Sequence, residues 1–296
     1  MLTSGSAVEH GVVVRDGQRI AWQRFGSVGP VLLLLPTWSI VHSDFWRAQV
    51  AHFAGRYQVI TFDGLGNGAS DRPTDSRLYG DLLVADDAIR VLDACRVHQA
   101  VVLGVSQGGP WALALAAQHP HRVGGAVFIA PNVPLAPGHP ERVAAARAFD
   151  EVLEEHPAWA KWNRDHWLRD YADFLRFFFE QCFSEPDSEE QIQHFVGMGL
   201  ETTPEVLLAT AGTEEATLTT ERAIEAAKRV RYPSLVIHGD EDRITPPARG
   251  EELARLTGAD LIRMSGSGHE PQCRVPEVVN RHLDAFLESI DEGGSG

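Results

Sequence analysis

The sequence predicts an α/β fold: a mostly parallel sheet with helices on both faces and a helical segment inserted after the sixth strand. Three observations carry this. Short apolar runs alternate with stretches of helical length from Val31 to Ile129, and the alternation resumes from Ser234 to Ile290. Strand and helix in strict alternation imply βαβ units, hence parallel pairing with helices packed on the sheet. From about Leu135 to Arg229 the strand-like runs stop and helical periodicity takes over.

The elements follow in order. Val8 to Val14 and Arg19 to Phe25 alternate apolar and polar residues around Asp16-Gly17, which suggests an opening antiparallel hairpin. Apolar strands are expected at Val31 to Leu35, Gln58 to Phe62, Ala100 to Val105 and Val123 to Ile129. Helices are expected between them near Ser43 to Gly55, Asp81 to Cys95 and Gln107 to His119. After the insertion come a strand at Ser234 to His238, a helix at Pro247 to Leu256, a strand at Asp260 to Met264 and a helix at Pro276 to Ile290. The expected organisation is a core of residues 1–134 and 230–292, a helical cap of 135–229, and a flexible tail or linker scar at 293–296.

Composition narrows the function classes. With 296 residues, 44% of them hydrophobic, the chain can bury a full core. Its net charge of -15, from 26 basic and 41 acidic residues, disfavours nucleic acid or an anionic membrane as partner, since no basic patch offsets the repulsion. Cys95, Cys182 and Cys273 are far apart and lack metal-ligand spacing, which reads as reduced thiols in a cytoplasmic protein. No leader and no membrane span is legible. The expected partner is a small-molecule substrate, and no feature specifies an oligomeric state.

The chemistry-bearing segment is VVLGVSQGGPW. Here a strand runs into Gly104-Val105-Ser106-Gln107-Gly108 and then a helix, the G-x-S-x-G context in which a sharp turn lifts a serine hydroxyl out of a sheet. Gly104, Gly108 and Gly109 leave room for the bend, and Pro110 falls in the first helical turn, where its missing N–H is tolerated. A serine hydroxyl needs a base, and the base an orienting partner. Asp240-Glu241-Asp242 follows one strand, and Ser265-Gly266-Ser267-Gly268-His269 follows the next. Both lie at carboxyl ends of strands, where open α/β sheets place their sites.

GVSQGG, HGDEDRITP, GSGHEPQCRVPE and DGLGNGASDRP together resemble the α/β-hydrolase superfamily, in particular its serine-nucleophile branch with a helical cap, which includes esterases, carbon-carbon bond hydrolases and perhydrolases. The resemblance runs from Val8 to Leu287 and weakens in the insertion. It implies a cofactor-independent hydrolase, with no metal, in which Ser106 is the nucleophile, His269 the base and Asp242 the residue orienting it. Asp240 is the alternative acid. In this fold one oxyanion donor is the N–H after the nucleophile, here Gln107, and the second comes from the loop after the third strand. Where many members carry His-Gly, this chain has Pro36-Thr37. Pro36 cannot donate, so the second donor is expected at Trp38, with Thr37 as alternative. A second departure is Leu65, which stands where the family often has arginine.

Tyr171, Phe174, Leu175, Phe178 and Cys182 recur at helical spacing, while Phe177, Phe179, Trp159, Trp162 and Trp167 add aromatic surface. A cap of this composition would form an apolar cavity, with Thr37, Trp38, His42, Trp159, Trp162 and Phe178 as substrate contacts. The expected reaction is hydrolysis of a bulky apolar or aromatic ester or lactone through an acyl-enzyme. Carbon-carbon cleavage, perhydrolysis or lyase chemistry on the same residues is the alternative, as is a ligand-binding protein without turnover. Ser106 argues against epoxide hydrolases and haloalkane dehalogenases, which need a carboxylate nucleophile.

Overall fold

The computed structural model describes residues 9–212 and 216–293. Val8, part of the expected first strand, and residues 294–296 of the expected tail lie outside them. Eight strands form one sheet: β1 (Glu9–Arg15), β2 (Gln18–Phe25), β3 (Val31–Leu34), β4 (Gln58–Phe62), β5 (Ala100–Val105), β6 (Val123–Ile129), β7 (Ser234–Gly239) and β8 (Asp260–Met264). Their spatial order is β1-β2-β4-β3-β5-β6-β7-β8. β1 pairs antiparallel with β2 across the hairpin turn at Asp16-Gly17, and β2 pairs antiparallel with β4. The remaining pairs are parallel.

Period-two alternation divides the sheet's side chains between two cores. Leu33, Ile60, Val102, Phe128 and Val236 face one side, packed with residues of α2 (Asp81–Ala94) and α3 (Gly108–Gln118). Leu32, Leu34, Val59, Leu103, Ile129 and Ile237 face the other, packed with residues of α1 (Arg47–Phe53). Strands buried on both faces explain why their sequences are apolar throughout rather than alternating.

Between β6 and β7 the described residues are helical or irregular: α4 (Pro140–Arg147), α5 (Arg164–Arg169), α6 (Tyr171–Cys182), α7 (Glu189–Gly199), α8 (Pro204–Ala209) and α9 (Thr220–Ala227). α6 was expected to bury a stripe, yet Phe177 and Phe179 off that stripe are buried too. Phe177 meets Trp159 edge-on at 5.2 Å, and Phe179 meets Phe195 of α7 at 5.4 Å. α10 (Pro247–Thr257) precedes β8, and α11 (Pro271–Arg274) and α12 (Pro276–Gly293) follow it. Among the described residues no helix is long and apolar enough to cross a membrane, and the three cysteines are unpaired.

One topological feature positions the site. From β3 the chain first adds β4 on one side and then β5 on the other, so the loops leaving β3 and β5 part in opposite directions. Such a switch point opens a crevice at the carboxyl ends of the strands.

Candidate active site

Ser106 sits at that crevice, directly after β5, with φ +53°. This left-handed conformation costs a non-glycine residue of the order of 1–2 kcal/mol. The surrounding backbone enforces it. Ser106 N–H donates to Ile129 O at 3.0 Å, and Ser106 O accepts from Gly109 and Asn132 N–H at 3.0 and 2.9 Å. A Cβ at Gly104 would lie 2.3 Å from Gly108 O, and one at Gly109 would lie 2.8 Å from Pro131 Cβ. The turn therefore requires both glycines.

The loop after β3 lies against this turn: a Cβ at Gly108 would meet Pro36 O at 2.8 Å. Among the described residues neither the Gln107 nor the Trp38 backbone N–H donates to a protein acceptor. Thr37 is buried and its hydroxyl has no partner. The position of Leu65 is stabilised without an arginine: Ser39 Oγ donates to Leu65 O at 2.6 Å, and Asp63 accepts from Ser43 and Ala69 N–H at 2.9 and 2.8 Å.

Asp242 and His269 come from the loops after β7 and β8 and meet in the interior. His269 Nδ1–H donates to Asp242 Oδ2 at 2.8 Å. Asp242 Oδ1 accepts from Ile244 and Thr245 N–H at 2.7 and 2.8 Å. His238 Nε2–H is also directed at Asp242 Oδ2, at 3.1 Å, and at Thr245 O, at 3.0 Å. Burial alone would raise the Asp242 pKa; the facing histidines and their hydrogen bonds outweigh it and hold the carboxyl far below its usual range. Burial works the other way on His269, and Asp242 again prevails, so the imidazole pKa lies above its usual value. Asp240 is exposed and instead accepts from Gly266 N–H at 2.6 Å, shaping the histidine's loop.

The inserted segment fastens both loops. His139 donates to Asp242 O at 2.8 Å, Arg142 of α4 donates to Ile244 O, and Cys182 O at the end of α6 accepts His269 N–H at 3.0 Å. Glu185 Oε1 accepts from Gly268 N–H at 2.7 Å. Beside His269, Glu270 is buried and its pKa is pushed up to about 7, chiefly by that burial. With Nδ1 committed to Asp242, His269 Nε2 is the ring's free nitrogen. Among the described residues neither it nor Ser106 Oγ is hydrogen-bonded, to each other or to any third group.

Ser106 and Gln107 open onto a cavity of about 500 Å³. Trp38, Trp162 and Phe178 line it, with Trp38 5.4 Å from Trp162 and 5.5 Å from Phe178 between ring centroids. Trp38 Nε1–H donates to Thr210 Oγ1 at 2.7 Å, fixing the ring. Thr37, His42 and Trp159 are not among the residues that line the cavity. Thr37 points into the interior; His42 caps the 3-10 turn Ser43–Trp46 and reaches Glu201 at 3.5 Å; Trp159 packs on Phe177 behind the wall.

Sequence reasoning missed a polar chain across the wall. Arg249 donates to Asn132 Oδ1, Asn132 Nδ2 donates to Gln107 Oε1 at 3.0 Å, and Gln107 Nε2 donates to Asp81 Oδ1 at 2.9 Å. Asp81 also accepts from Trp111 Nε1 at 2.8 Å and Leu218 N–H at 2.7 Å, and burial raises its pKa despite these donors. Gln107 is thereby held from both ends.

With this geometry in hand, comparison with known proteins gives a consistent result. A family model described as alpha/beta hydrolase fold matches residues 30–273. A 2-hydroxymuconate semialdehyde hydrolase of Pseudomonas sp. (strain CF600) is 31% identical over 83% of this chain and 82% of its own length. A 3-oxoadipate enol-lactonase of Acinetobacter baylyi is 24% identical over 84% of this chain and 85% of its own length. Among solved structures, one titled as an N-acyl homoserine lactone degrading enzyme superposes with a TM-score of 0.75 at 27% identity, covering 93% of this chain and all of that one.

Proposed function

Because this chain belongs to the α/β-hydrolase fold family, we propose that it is a cofactor-independent serine hydrolase that cleaves a carboxylic ester or lactone with a bulky apolar part. The observation that carries the reading is the strained Ser106 at the mouth of an aromatic cavity, with the buried Asp242-His269 pair on the neighbouring loops. A backbone conformation that disfavours serine is retained where the exposed hydroxyl is needed.

In this reading residues 135–229 form a cap over a core of 1–134 and 230–292, and Trp38, Trp162 and Phe178 hold the apolar group. Substrate binding brings Ser106 Oγ and His269 Nε2 together, a contact that often tightens only in the loaded enzyme. Ser106 Oγ attacks the carbonyl carbon as its proton passes to His269 Nε2. The amides of Gln107 and Trp38 stabilise the oxyanion, and Asp242 stabilises the imidazolium. The imidazolium protonates the leaving alkoxide, and water, activated by the same nitrogen, releases the acid. The unengaged Gln107 and Trp38 amides support these assignments.

The likeness to a 2-hydroxymuconate semialdehyde hydrolase favours a second reading, carbon-carbon bond hydrolysis by the same residues. One experiment separates the two: purified protein and its Ser106→Ala variant are assayed on nitrophenyl esters from acetyl to aromatic acyl groups. Ester turnover that disappears in the variant supports the first reading. Absence of turnover by the unmodified protein contradicts it and leaves the second.

A further inference from the structure

The cavity wall carries four charged side chains besides Arg142, and each is already engaged. Asp87 pairs with Arg15 at 2.6 Å, Asp150 pairs with Arg164 at 2.6 Å, and the two oxygens of Asp81 accept three N–H groups. Arg142 differs. Among the described residues it has no carboxylate within ion-pair distance, and its one hydrogen bond is to Ile244 O. It is half-buried and lines the cavity, and its unpartnered Nε and Nη2 are not among the sealed polar atoms.

The guanidinium is held by its Nη1 bond to Ile244 O and by stacking, which among the described residues leaves its Nε and Nη2 without a protein partner. It lies over the rings of Trp159 and Trp162, 5.3 and 5.5 Å from their centroids. Stacking fixes the plane of an arginine while leaving its N–H fork directed outward. Of the anions that act on Arg142 from beyond ion-pair distance, Asp242 is occupied by two histidines and Glu141 forms no ion pair with it, while Arg249, hydrogen-bonded to Asn132 and Ala136 O, adds a second nearby cation. Burial lowers the Arg142 pKa, as expected for a cation lacking a partner, but a guanidinium stays charged. A partly desolvated charge without a counter-ion is costly, so the missing partner is expected from whatever fills the cavity.

We propose that Arg142 forms a carboxylate subsite, so that the substrate is an ester or lactone bearing a carboxylate whose two oxygens meet the Arg142 fork. This deepens the hydrolase reading and rests on it. Trp162, under the guanidinium and beside Trp38, places the subsite at the edge of the aromatic cavity. The substrate is therefore apolar along its length and anionic at one end. Bidentate pairing in a dry site selects for the anion over a neutral isostere.

The test compares two matched pairs of esters. Nitrophenyl hexanoate and the nitrophenyl half-ester of adipic acid place the charge on the acyl side; 4-methylphenyl and 4-carboxyphenyl acetate place it on the alcohol side. The readout is the ratio of kcat/KM, charged over neutral, in the unmodified protein, in Arg142→Gln and in Arg142→Lys. General packing damage cancels in the ratio. In at least one pair the ratio should fall about tenfold or more in Arg142→Gln, with Arg142→Lys between the two, since it keeps the charge and loses the fork. Ratios unchanged in both pairs overturn the subsite, and if the glutamine variant does not fold, the lysine variant decides alone. Should the unmodified protein cleave no ester, the hydrolase reading fails separately, and calorimetric titration with adipate and benzoate still tests the subsite: saturable binding weakened by the substitution supports it, and absent or unaltered binding overturns it.

Discussion

His238 and His269 converge on one oxygen of Asp242, at 3.1 and 2.8 Å, so a single buried carboxylate organises two imidazoles. His238 is boxed in, because a Cβ at Gly250 would lie 2.4 Å from its Nδ1. It acts on the site through Asp242. His238→Phe should lower stability by about 1–3 kcal/mol, the cost of leaving Thr245 O and part of the carboxylate unsatisfied. It should lower kcat by less than Asp242→Ala does. Denaturant unfolding and initial rates on one ester check both.

The proposed mechanism requires His269 Nε2 unprotonated, and Asp242 holds the imidazole pKa above its ordinary 6.5. Activity should rise with pH, with its acid limb centred above 6.5. Glu270 contributes to that elevation, so Glu270→Gln should move the limb to lower pH. A kcat/KM profile from pH 5 to 9 for both proteins measures the shift.

The same Glu270 carries a stability consequence of definite sign. Its folded pKa of about 7 lies above its usual 4.5, so the folded state holds the proton more tightly and stability declines as pH rises through 7. Glu270→Gln removes that decline. Its Tm should be close to that of the unmodified protein at pH 5 and several degrees higher at pH 8.

Ser106 should invert the usual ranking of alanine over glycine. At φ +53° alanine keeps the strain and glycine relieves it, so Ser106→Gly should be at least as stable as Ser106→Ala. The relief of about 1–2 kcal/mol offsets the extra entropy of glycine in the unfolded chain. Denaturation midpoints of the two variants decide it.

The polar chain across the cavity wall bears on the Gln107 amide. Asn132→Ala frees one end of the Gln107 side chain and, on the proposed role of the Gln107 amide, should lower kcat about tenfold while KM changes little, because a displaced oxyanion donor is felt in the transition state. A rise in KM at constant kcat would instead mark Asn132 as a substrate contact.

The strands were legible because burial on both faces makes their sequences continuous apolar runs, and Pro36 marked the end of β3 to within a residue. The Ser106 turn was legible because its glycines are sterically required within a few residues of one another. Arg142 and Asp81 were not. Nothing within a turn of either residue distinguishes it from a surface charge, and each acquires its surroundings only when β6, β7 and the inserted helices are brought together. Trp159, His42 and Thr37 lie off the cavity lining for the converse reason: proximity in sequence to Trp162, Trp38 and the loop after β3 does not fix which way a side chain points.

The most direct measurement is intact and peptide-level mass spectrometry after brief reaction with an activated fluorophosphonate, for the unmodified protein and for Ser106→Ala and His269→Ala. The account predicts one covalent adduct, on Ser106, accompanied by loss of ester hydrolysis, absent in Ser106→Ala and formed far more slowly in His269→Ala. Labelling at another residue, or ester hydrolysis that persists after Ser106 is fully modified, would contradict it.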